Sequence, residues 1–283
     1  MKQLTPILLS LPLLFLSCGD TQHHQQTKMQ QTAFYDLNQT VIKENICYAK
    51  ATNQPITGVV RAYAKDEHNV SKVLFETPVV DGVPHGIKRK YYNSGEIYQE
   101  IPYRHGKLEG NVTSYYPDRT LKQSITYHQD QRHGVEKRYT QEGTLIEEIY
   151  YKNNQRDGVT LRYYPSGKIK YETPFKDGKI DGIKKGYYES GQLGIEISYK
   201  NGMKEGIRKS YYPSGKLKEE NSFKNNQLDG MLKNYYESGA LKIQVTFKEG
   251  QCIGEKIEYS ETSDILRTIP CSSSLENNLT KEK

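Results

Sequence analysis

Carboxylates recur at one fixed place along the sequence, directly before a glycine. They are Glu109, Asp157, Asp181, Glu205 and Asp229. Calcium prefers carboxylate oxygens, and its ligands all lie within about 2.6 Å of the ion. If these acids stand on every second strand of a sheet, neighbours are about 9.6 Å apart and cannot share an ion. The spacing therefore favours acids that stabilise turns, and we predict neither a metal site nor another cofactor.

Other side chains with catalytic potential are not arranged for catalysis. His85, His105 and His133 stand beside turn glycines, and the spacing pairs none of them with a nucleophile. His23 and His24 lie in a polar, low-complexity segment, which is typical of a linker rather than a metal site. We therefore predict no enzyme activity and no small-molecule substrate. The 40 basic and 34 acidic residues alternate rather than cluster, which predicts a solvated surface and no nucleic-acid partner.

Cys18 is the candidate site of lipid attachment. Residues 1–17 combine Lys2 with an apolar stretch from Ile7 to Leu16, which has the length of a secretory signal and is too short for a mature transmembrane helix. The ending Phe-Leu-Ser-Cys-Gly resembles a lipobox, where signal peptidase II cuts before a cysteine that becomes diacylated. An ordinary secretory signal is the alternative, but no small-x-small cleavage pattern competes. We expect residues 18–33 to be a flexible tether. The lack of Asp directly after Cys18 favours the outer membrane, facing the periplasm or the outside.

The remaining cysteines predict one disulfide bond. Cys252 and Cys271 fall close together in the register of the last hairpin, and an oxidising periplasm would allow them to join. Cys47 is left over. We expect it to be a buried free thiol, with pairing to another chain as the alternative.

The elements that must position these residues repeat every 24 residues. A tyrosine column runs from Tyr91 to Tyr259, and a Leu/Ile column runs from Ile97 to Ile265. Strict self-similarity at this length is the signature of a tandem repeat array. Eight units therefore occupy residues 86–271, and a degenerate unit precedes them from Gly58. Each unit begins at one of the evenly spaced glycines Gly86, Gly110, Gly134, Gly158, Gly182, Gly206, Gly230 and Gly254.

Each unit is predicted to be a β-hairpin. Residues 211–216 read Tyr-Tyr-Pro-Ser-Gly-Lys, in which Pro suits the second position of a type I turn and Gly supplies the positive φ. Asn201-Gly202 starts the turn to the following unit. The returning strand then alternates with period two, and its apolar face comprises Leu241, Ile243, Val245 and Phe247.

A register for the hairpins follows from the turn length. A three-residue loop pairs Tyr211 with Leu217 and predicts Arg208 opposite Glu220 on the polar face. The same register places Lys88 opposite Glu100, Lys184 opposite Glu196, and Glu136 opposite Glu148. We also predict that the glycine column marks an irregularity such as a bulge. Glycines that merely end strands are the alternative.

The second tyrosine of each turn forms the candidate binding surface. We place these residues on the polar face together with Lys88, Lys90, Arg162, Lys184 and Arg208. A regular ladder of aromatic rings and cations suits an extended protein, glycan or lipid headgroup surface. Aromatic residues that only support the turn are the alternative. The ladder consists of Tyr92, Tyr116, Tyr164, Tyr188, Tyr212 and Tyr236.

The repeated motifs resemble a known family. Gly-x-x-Lys-x-Tyr-Tyr, Ser-Gly-x-Leu, a Glu at 172, 196 and 220, and Tyr-Lys-Asn-Gly at 199–202 are similar to the MORN-repeat variant of bacterial envelope proteins, often described as YwqK-type and antitoxin-like. The resemblance covers residues 56–271 and implies a meandering antiparallel sheet with a role in protein or membrane contact. The chain departs from the pattern at Arg119, at Thr140 and in the last unit, which we expect to be a cap.

The predicted fold is all-β, a long antiparallel meander of tandem 24-residue β-hairpin (MORN-like) repeats in a twisted, coiled open sheet. Residues 34–85 should form an N-terminal cap with the degenerate first repeat, and residues 272–283 a polar C-terminal tail. We expect a cell-envelope lipoprotein that is held to the membrane by its lipid, with a repeat ribbon that acts as a scaffold for a protein partner. The alternatives are an antitoxin or immunity-like protein and a glycan- or peptidoglycan-binding protein.

Overall fold

The computed structural model describes residues 32–65 and 68–271. The predictions for the signal peptide, Cys18, nearly all of the tether and the polar tail lie outside these residues. In chain order the strands are β1 (Phe34–Asp36), β2 (Thr40–Lys43), β3 (Ile46–Ala49), β4 (Gly58–Lys65), β5 (Ser71–Val80), β6 (Val83–Pro84), β7 (Gly86–Tyr91), β8 (Ile97–Arg104), β9 (Lys107–Leu108), β10 (Gly110–Tyr115), β11 (Leu121–His128), β12 (Gln131–Tyr139), β13 (Leu145–Lys152), β14 (Gln155–Arg156), β15 (Gly158–Tyr163), β16 (Ile169–Lys176), β17 (Lys179–Ile180), β18 (Gly182–Tyr187), β19 (Leu193–Lys200), β20 (Met203–Tyr211), β21 (Leu217–Lys224), β22 (Gln227–Tyr235), β23 (Leu241–Lys248), β24 (Gln251–Tyr259) and β25 (Ile265–Pro270). A 3-10 turn spans Leu37–Gln39.

These strands form one long sheet. Twenty-three of the strands in the described residues belong to it, and β2 and β3 form a separate hairpin. From β4 to β25 the chain meanders through antiparallel neighbours, while β1 adds to β4 in parallel. The sheet is open, so the predicted all-β antiparallel meander is confirmed. Among the described residues, no helix has the length and apolar character needed to span a bilayer.

Two kinds of turn connect the strands. At the hairpin turn the Gly215 amide donates to the Tyr212 carbonyl and the Tyr212 amide donates to the Lys216 carbonyl, both at 2.8 Å. Asn201 (φ 52°) and Gly202 (φ 86°) close a two-residue turn to the next hairpin. Positive φ at both central residues is what a type I′ turn requires, which explains the Asn-Gly sequence.

A one-residue bulge changes the predicted register of each hairpin. Tyr211 does pair with Leu217, but Ser210 pairs with Glu219, so Lys218 is an extra residue on the returning strand. The predicted pairs beyond this point are therefore wrong by one residue. Arg208 lies opposite Asn221. The glutamates instead face the neighbouring cations, in the pairs Lys209–Glu220, Arg89–Glu100, Lys185–Glu196 and Lys137–Glu148.

The glycine column marks a second, larger irregularity, as predicted. Ile197 pairs with Arg208 and Tyr199 pairs with Lys204, so residues 205–207 stand opposite Ser198 alone. Gly206, at the centre of this bulge, has φ +95°. Glycine adopts that conformation without the steric cost that a side chain would add.

The bulges sort the side chains onto two faces. We name the face that holds Glu100, Glu148, Glu196 and Glu220 the Glu face, and the opposite one the core face. The most buried side chains of the core face lie in a single row across the strands, which we call the central row. Its buried members are Val60, Ile101, Val112, Ile125, Glu136, Ile149, Thr160, Asn221, Leu232 and Val245.

The cations assigned to the polar face are in fact on the core face. Lys88 lies directly opposite Ile101, Lys184 opposite Ile197, and Arg208 opposite Asn221. Residues directly opposite in an antiparallel pair share a face. The prediction failed because the bulge moves the apolar residues of each returning strand onto the face of these cations.

Both ends of the row are closed by local packing. At the N-terminal end, Cys47 and Ile56 pack with Val60 and Val79 of the first hairpin, and Cys47 is a buried free thiol. At the C-terminal end, Leu232, Val245 and Phe247 form a cluster. Cys252 and Cys271 contact that cluster and form a disulfide bond, with a Cα–Cα distance of 5.5 Å.

Candidate interaction surface

The ladder tyrosines bind the next repeat rather than presenting free hydroxyls. Each of the six hydroxyls donates to the main-chain carbonyl of the first tyrosine in the following repeat. The distances are 2.7 Å from Tyr92 to Tyr115, 3.0 Å from Tyr116 to Tyr139, 2.7 Å from Tyr164 to Tyr187, 2.6 Å from Tyr188 to Tyr211, 2.8 Å from Tyr212 to Tyr235 and 2.9 Å from Tyr236 to Tyr259. All six side chains are half-buried.

Four ladder rings also carry a lysine. The extra residue of the hairpin bulge places its ammonium 5.1–5.7 Å from the centroid of the ring, in the pairs Lys122–Tyr116, Lys170–Tyr164, Lys218–Tyr212 and Lys242–Tyr236. Cation–π contacts of this kind stabilise exposed sites by about 0.5–1 kcal/mol. The extra residue that shifts the register from the predicted one therefore also stabilises the ladder, because its ammonium lies over the tyrosine ring.

Glutamates join successive repeats on the Glu face. Glu148 accepts from Lys137 across its own hairpin at 2.9 Å and from the Tyr163 hydroxyl of the next repeat at 2.7 Å. These two hydrogen bonds lower the pKa of Glu148 against the opposing effect of burial. The acid is therefore held as a carboxylate between two repeats.

The same arrangement recurs along the face. Glu76 binds Arg61 and the Tyr91 hydroxyl, and Glu100 binds Arg89 and the Tyr115 hydroxyl. Glu196 accepts from the Tyr211 hydroxyl at 3.0 Å. Burial, followed by the bond to glutamate, raises the pKa of Tyr91 and of Tyr211 to about 12. Because Glu76 belongs to the degenerate unit, that unit already uses the bonding scheme of the later repeats.

The evenly spaced glycines that begin each unit are called the marker glycines below. The acids that precede them bind the two-residue turns between successive hairpins. Asp181 accepts the Asn201 amide at 3.0 Å, and Glu205 accepts the Asn225 amide at 2.9 Å. Backbone bonding of this kind is the main reason why the pKa of Asp229 lies below its usual value. The turn role expected for these acids is therefore what the geometry shows. Equivalent bonds join Glu109 to Gln129, Asp157 to Asp177, and Asp229 to Glu249.

A network of buried charged side chains lies on the core face in the third and fourth repeats, and one of its members, Glu136, belongs to the central row. Glu136, only 1% exposed, accepts from Gln123 at 2.7 Å and from Arg138 at 2.6 Å. Glu147 accepts from Arg138 at 3.0 Å and from Arg162 at 2.8 Å. The buried carboxylates are thus paired with guanidinium groups, as buried charge requires. Sequence reasoning missed this network because it placed Glu136 on the other face.

An exposed apolar stripe on the Glu face was also missed. The residue after the evenly spaced glycine is both apolar and exposed in four consecutive repeats. These residues are Val159, Ile183, Ile207 and Met231, with exposed fractions of 42%, 51%, 45% and 44%. Their partners in the adjacent strand are Pro174, Ser198, Ser222 and Thr246. We call these four residues the apolar stripe. Their recurrence directly after the evenly spaced glycines was the signal by which the sequence could have revealed them.

The fold and these bonds define a class of protein: an open β-sheet built from 24-residue hairpins that are joined by side-chain bonds between repeats. Six segments match the MORN repeat variant family, at residues 84–105, 132–153, 156–177, 180–201, 204–225 and 228–249. The chain therefore belongs to the MORN repeat variant family over this region. The unmatched repeat between the first two segments has the same bulges and register.

Other comparisons add little. Curated protein sequences give no match. The crystal structure of TcdB2-TccC3-Cdc42 aligns with 84% of this chain at 12% identity and a TM-score of 0.18, and that of TcdB2-TccC3 does so at 12% identity and 0.17. This chain spans 16% and 17% of those chains. TM-scores this low carry no argument about function.

Proposed function

We propose that this protein is a cell-envelope lipoprotein whose repeat sheet is a scaffold for a protein partner, with its apolar stripe as a contact surface. The observation that carries the proposal is the exposure of Val159, Ile183, Ile207 and Met231 at one position of four successive repeats. A regular row of exposed apolar side chains, with small or polar residues on the strands between them, suits contact with a partner. Neighbouring members are two strands apart, about 9.6 Å, which suits an extended partner segment.

The rigidity of the array supports the same function. Side-chain bonds join neighbouring repeats at the hairpin turns, at the turns between hairpins and on the Glu face, as at Tyr188, Asp181 and Glu148, so the stripe is ordered before a partner arrives. A pre-ordered surface loses less conformational entropy on binding. The ladder hydroxyls are already bonded within the sheet, so we do not carry the glycan-binding alternative forward.

In-cell photocrosslinking tests the scaffold. A photoreactive residue at Ile183 or Ile207 should capture a discrete protein, while one at Ile42, which is 65% exposed on the separate N-terminal hairpin, should not. The double variant Ile183→Lys, Ile207→Lys should keep its strand content and lose that partner. Equal capture from Ile42, or retention of the partner by the double variant, would contradict the proposal.

The lipid anchor has its own test. Acylation of Cys18 should allow metabolic labelling with an alkynyl fatty acid and recovery of the protein with membranes. Cys18→Ser should remove the label. A labelled Cys18→Ser variant, or an unlabelled parent protein, would contradict the anchor without affecting the stripe.

A further inference from the structure

The hairpin turn of the first repeat forms an aromatic cleft. The ring centroids of Tyr92 and Tyr98 lie 5.3 Å apart, and the two rings are tilted by 54°. With Tyr91, and with Pro117 from the next turn, these rings line an open cleft of about 560 Å³. The three tyrosines are half-buried and Pro117 is exposed. The walls of the cleft are therefore largely aromatic and within reach of a ligand.

The other repeats show which chemical group packs on the second tyrosine of a turn. At the position of Tyr98, four of them have a lysine, and its ammonium lies 5.1–5.7 Å from the centroid of the equivalent ring. In the first repeat Tyr98 replaces that lysine. The turn thus has a second ring in place of its own cation. Groups of aromatic rings are the usual protein site for an ammonium group.

The charge of this turn is also reversed. The fourth repeat has Lys168 and Lys170 at the positions where the first repeat has Glu96 and Tyr98. A hydrogen bond with the side chain of Ser94, which lines the cleft, is the main reason why the pKa of Glu96 is lowered. The carboxylate is therefore ionised at neutral pH and stands beside the cleft. Its Oε2 is enclosed, so Glu96 acts on a ligand through its charge.

We propose that the cleft between Tyr92, Tyr98 and Pro117 binds a lysine side chain of a partner protein. The proposal rests on the scaffold function only in that the cation comes from a protein. Lysine is the favoured cation because this sheet places lysine on the equivalent ring of four repeats. The methylene groups of a lysine pack on apolar walls while its ammonium stays near water, and the open cleft provides both surroundings.

The test is an NMR titration of the purified full chain, labelled with ¹³C in its tyrosine rings. The probe is a short alanine peptide with one central lysine, and the same peptide with acetyl-lysine is the uncharged probe. The lysine peptide should shift the ring resonances of Tyr92 and Tyr98. The acetyl-lysine peptide should bind about tenfold more weakly, because it loses the attraction between cation and ring.

Variants of the turn separate the ring from the charge. Tyr98→Leu keeps an apolar wall and should weaken binding about fivefold. Tyr98→Lys restores the residue of the other repeats and should weaken binding at least as much, because its own ammonium then lies over the Tyr92 ring. Glu96→Gln should weaken binding about threefold, and Arg119→Gln, which removes a cation whose charge reaches Glu96, should strengthen it about twofold. The matched control is Glu237→Gln, at an exposed position of another hairpin turn, which should leave the affinity unchanged.

The fifth repeat allows the cleft to be built a second time. It has the second tyrosine and the proline of the next turn, Tyr188 and Pro213, but has Gln192 and Gly194 in place of the acid and the extra ring. A Cβ atom at Gly194 would lie 3.3 Å from Cε2 of the Tyr188 ring. The double variant Gln192→Glu, Gly194→Tyr should therefore make the Tyr188 resonance respond to the lysine peptide, which it should not do in the parent protein.

Several outcomes would overturn the lysine site. These are equal affinity for the two peptides, unchanged affinity in Tyr98→Leu, and equal effects of Glu96→Gln and Glu237→Gln, in variants whose strand content is unchanged by circular dichroism. Shifts at Tyr92 caused by phosphatidylcholine vesicles but not by the lysine peptide would also overturn it, since the cation would then come from a lipid. The titration needs no cellular partner and does not involve the apolar stripe. Failure of the scaffold proposal and failure of this site can therefore be told apart.

Discussion

The hydroxyl of Tyr188 donates a hydrogen bond of 2.6 Å to the main-chain carbonyl of Tyr211, the first tyrosine of the next repeat. A single sheet cannot bury a thick core, so its repeats depend on contacts with their neighbours. This bond ties one hairpin turn to the next strand. Its recurrence in six repeats makes it a principal link of the array.

Loss of one of these hydroxyl–carbonyl bonds, each of which we call a rung of the ladder, should lower the free energy of unfolding measurably. Tyr188→Phe keeps the ring and removes the donor, so the Tyr211 carbonyl loses a half-buried partner and stability should fall by about 1 kcal/mol. Tyr199→Phe is the control, since the Tyr199 hydroxyl forms no hydrogen bond with the described residues. Urea unfolding of both variants measures the difference in stability. Equal urea midpoints for Tyr188→Phe and Tyr199→Phe would show that the ladder bond does not stabilise the protein.

The ladder can be completed where the sequence interrupts it. Thr140 takes the place of the second tyrosine, so no ladder hydroxyl reaches the Tyr163 carbonyl. Thr140→Tyr should restore the rung and raise stability by about 0.5–1 kcal/mol relative to Thr140→Phe, which adds the ring without the donor. Thermal unfolding of the pair isolates the hydroxyl. A Phe variant as stable as the Tyr variant would show that the rung adds nothing here.

Acid should weaken the bonds of the Glu face. The folded-state pKa of Glu148 is lowered from 4.5, so its contribution to stability is present above about pH 4.5 and is lost as pH falls through the lower folded value. Glu148→Gln should be less stable than the parent at pH 7, and the gap should close at acidic pH. Glu237→Gln, at an exposed turn position, should show no such convergence in urea midpoints measured between pH 7 and pH 3.

Reduction of the disulfide should loosen the last repeat alone. Cys252 and Cys271 are separated by 19 positions, and closing a loop of that length restricts the unfolded chain by about 3 kcal/mol. After reduction, amides of β24 and β25 should exchange faster with solvent, while those of β18 and β19 keep their protection. Uniform loss of protection along the sheet would indicate global cooperativity in place of nearest-neighbour stability.

Much of the architecture could be predicted because its signals are local. Asn201-Gly202 and Pro213-Ser214-Gly215 specify their turns through the φ values that these residues adopt easily. The marker glycine at 206 was correctly assigned to an irregularity because a positive φ and a bulge go together. The bulge at Lys218 could not be predicted, because this bulge does not require glycine or any other distinctive residue type.

That single extra residue had large consequences for the site. It moved Arg208 and Lys184 to the core face and left Lys209 and Lys185 opposite the glutamates. It also placed Lys218 over the Tyr212 ring, whose hydroxyl binds the next repeat. The exposure of the apolar stripe could be established only after the faces had been assigned.

By itself the sequence determined the 24-residue period, the hairpin as its unit and the two kinds of turn, because these depend on neighbouring residues along the chain. Only the tertiary structure decided which side chains share a face and which hydroxyls are already bonded. In a strand, side chains alternate with period two, so one bulged residue reverses every later assignment. The position of that residue is fixed by hydrogen bonds between strands and between repeats.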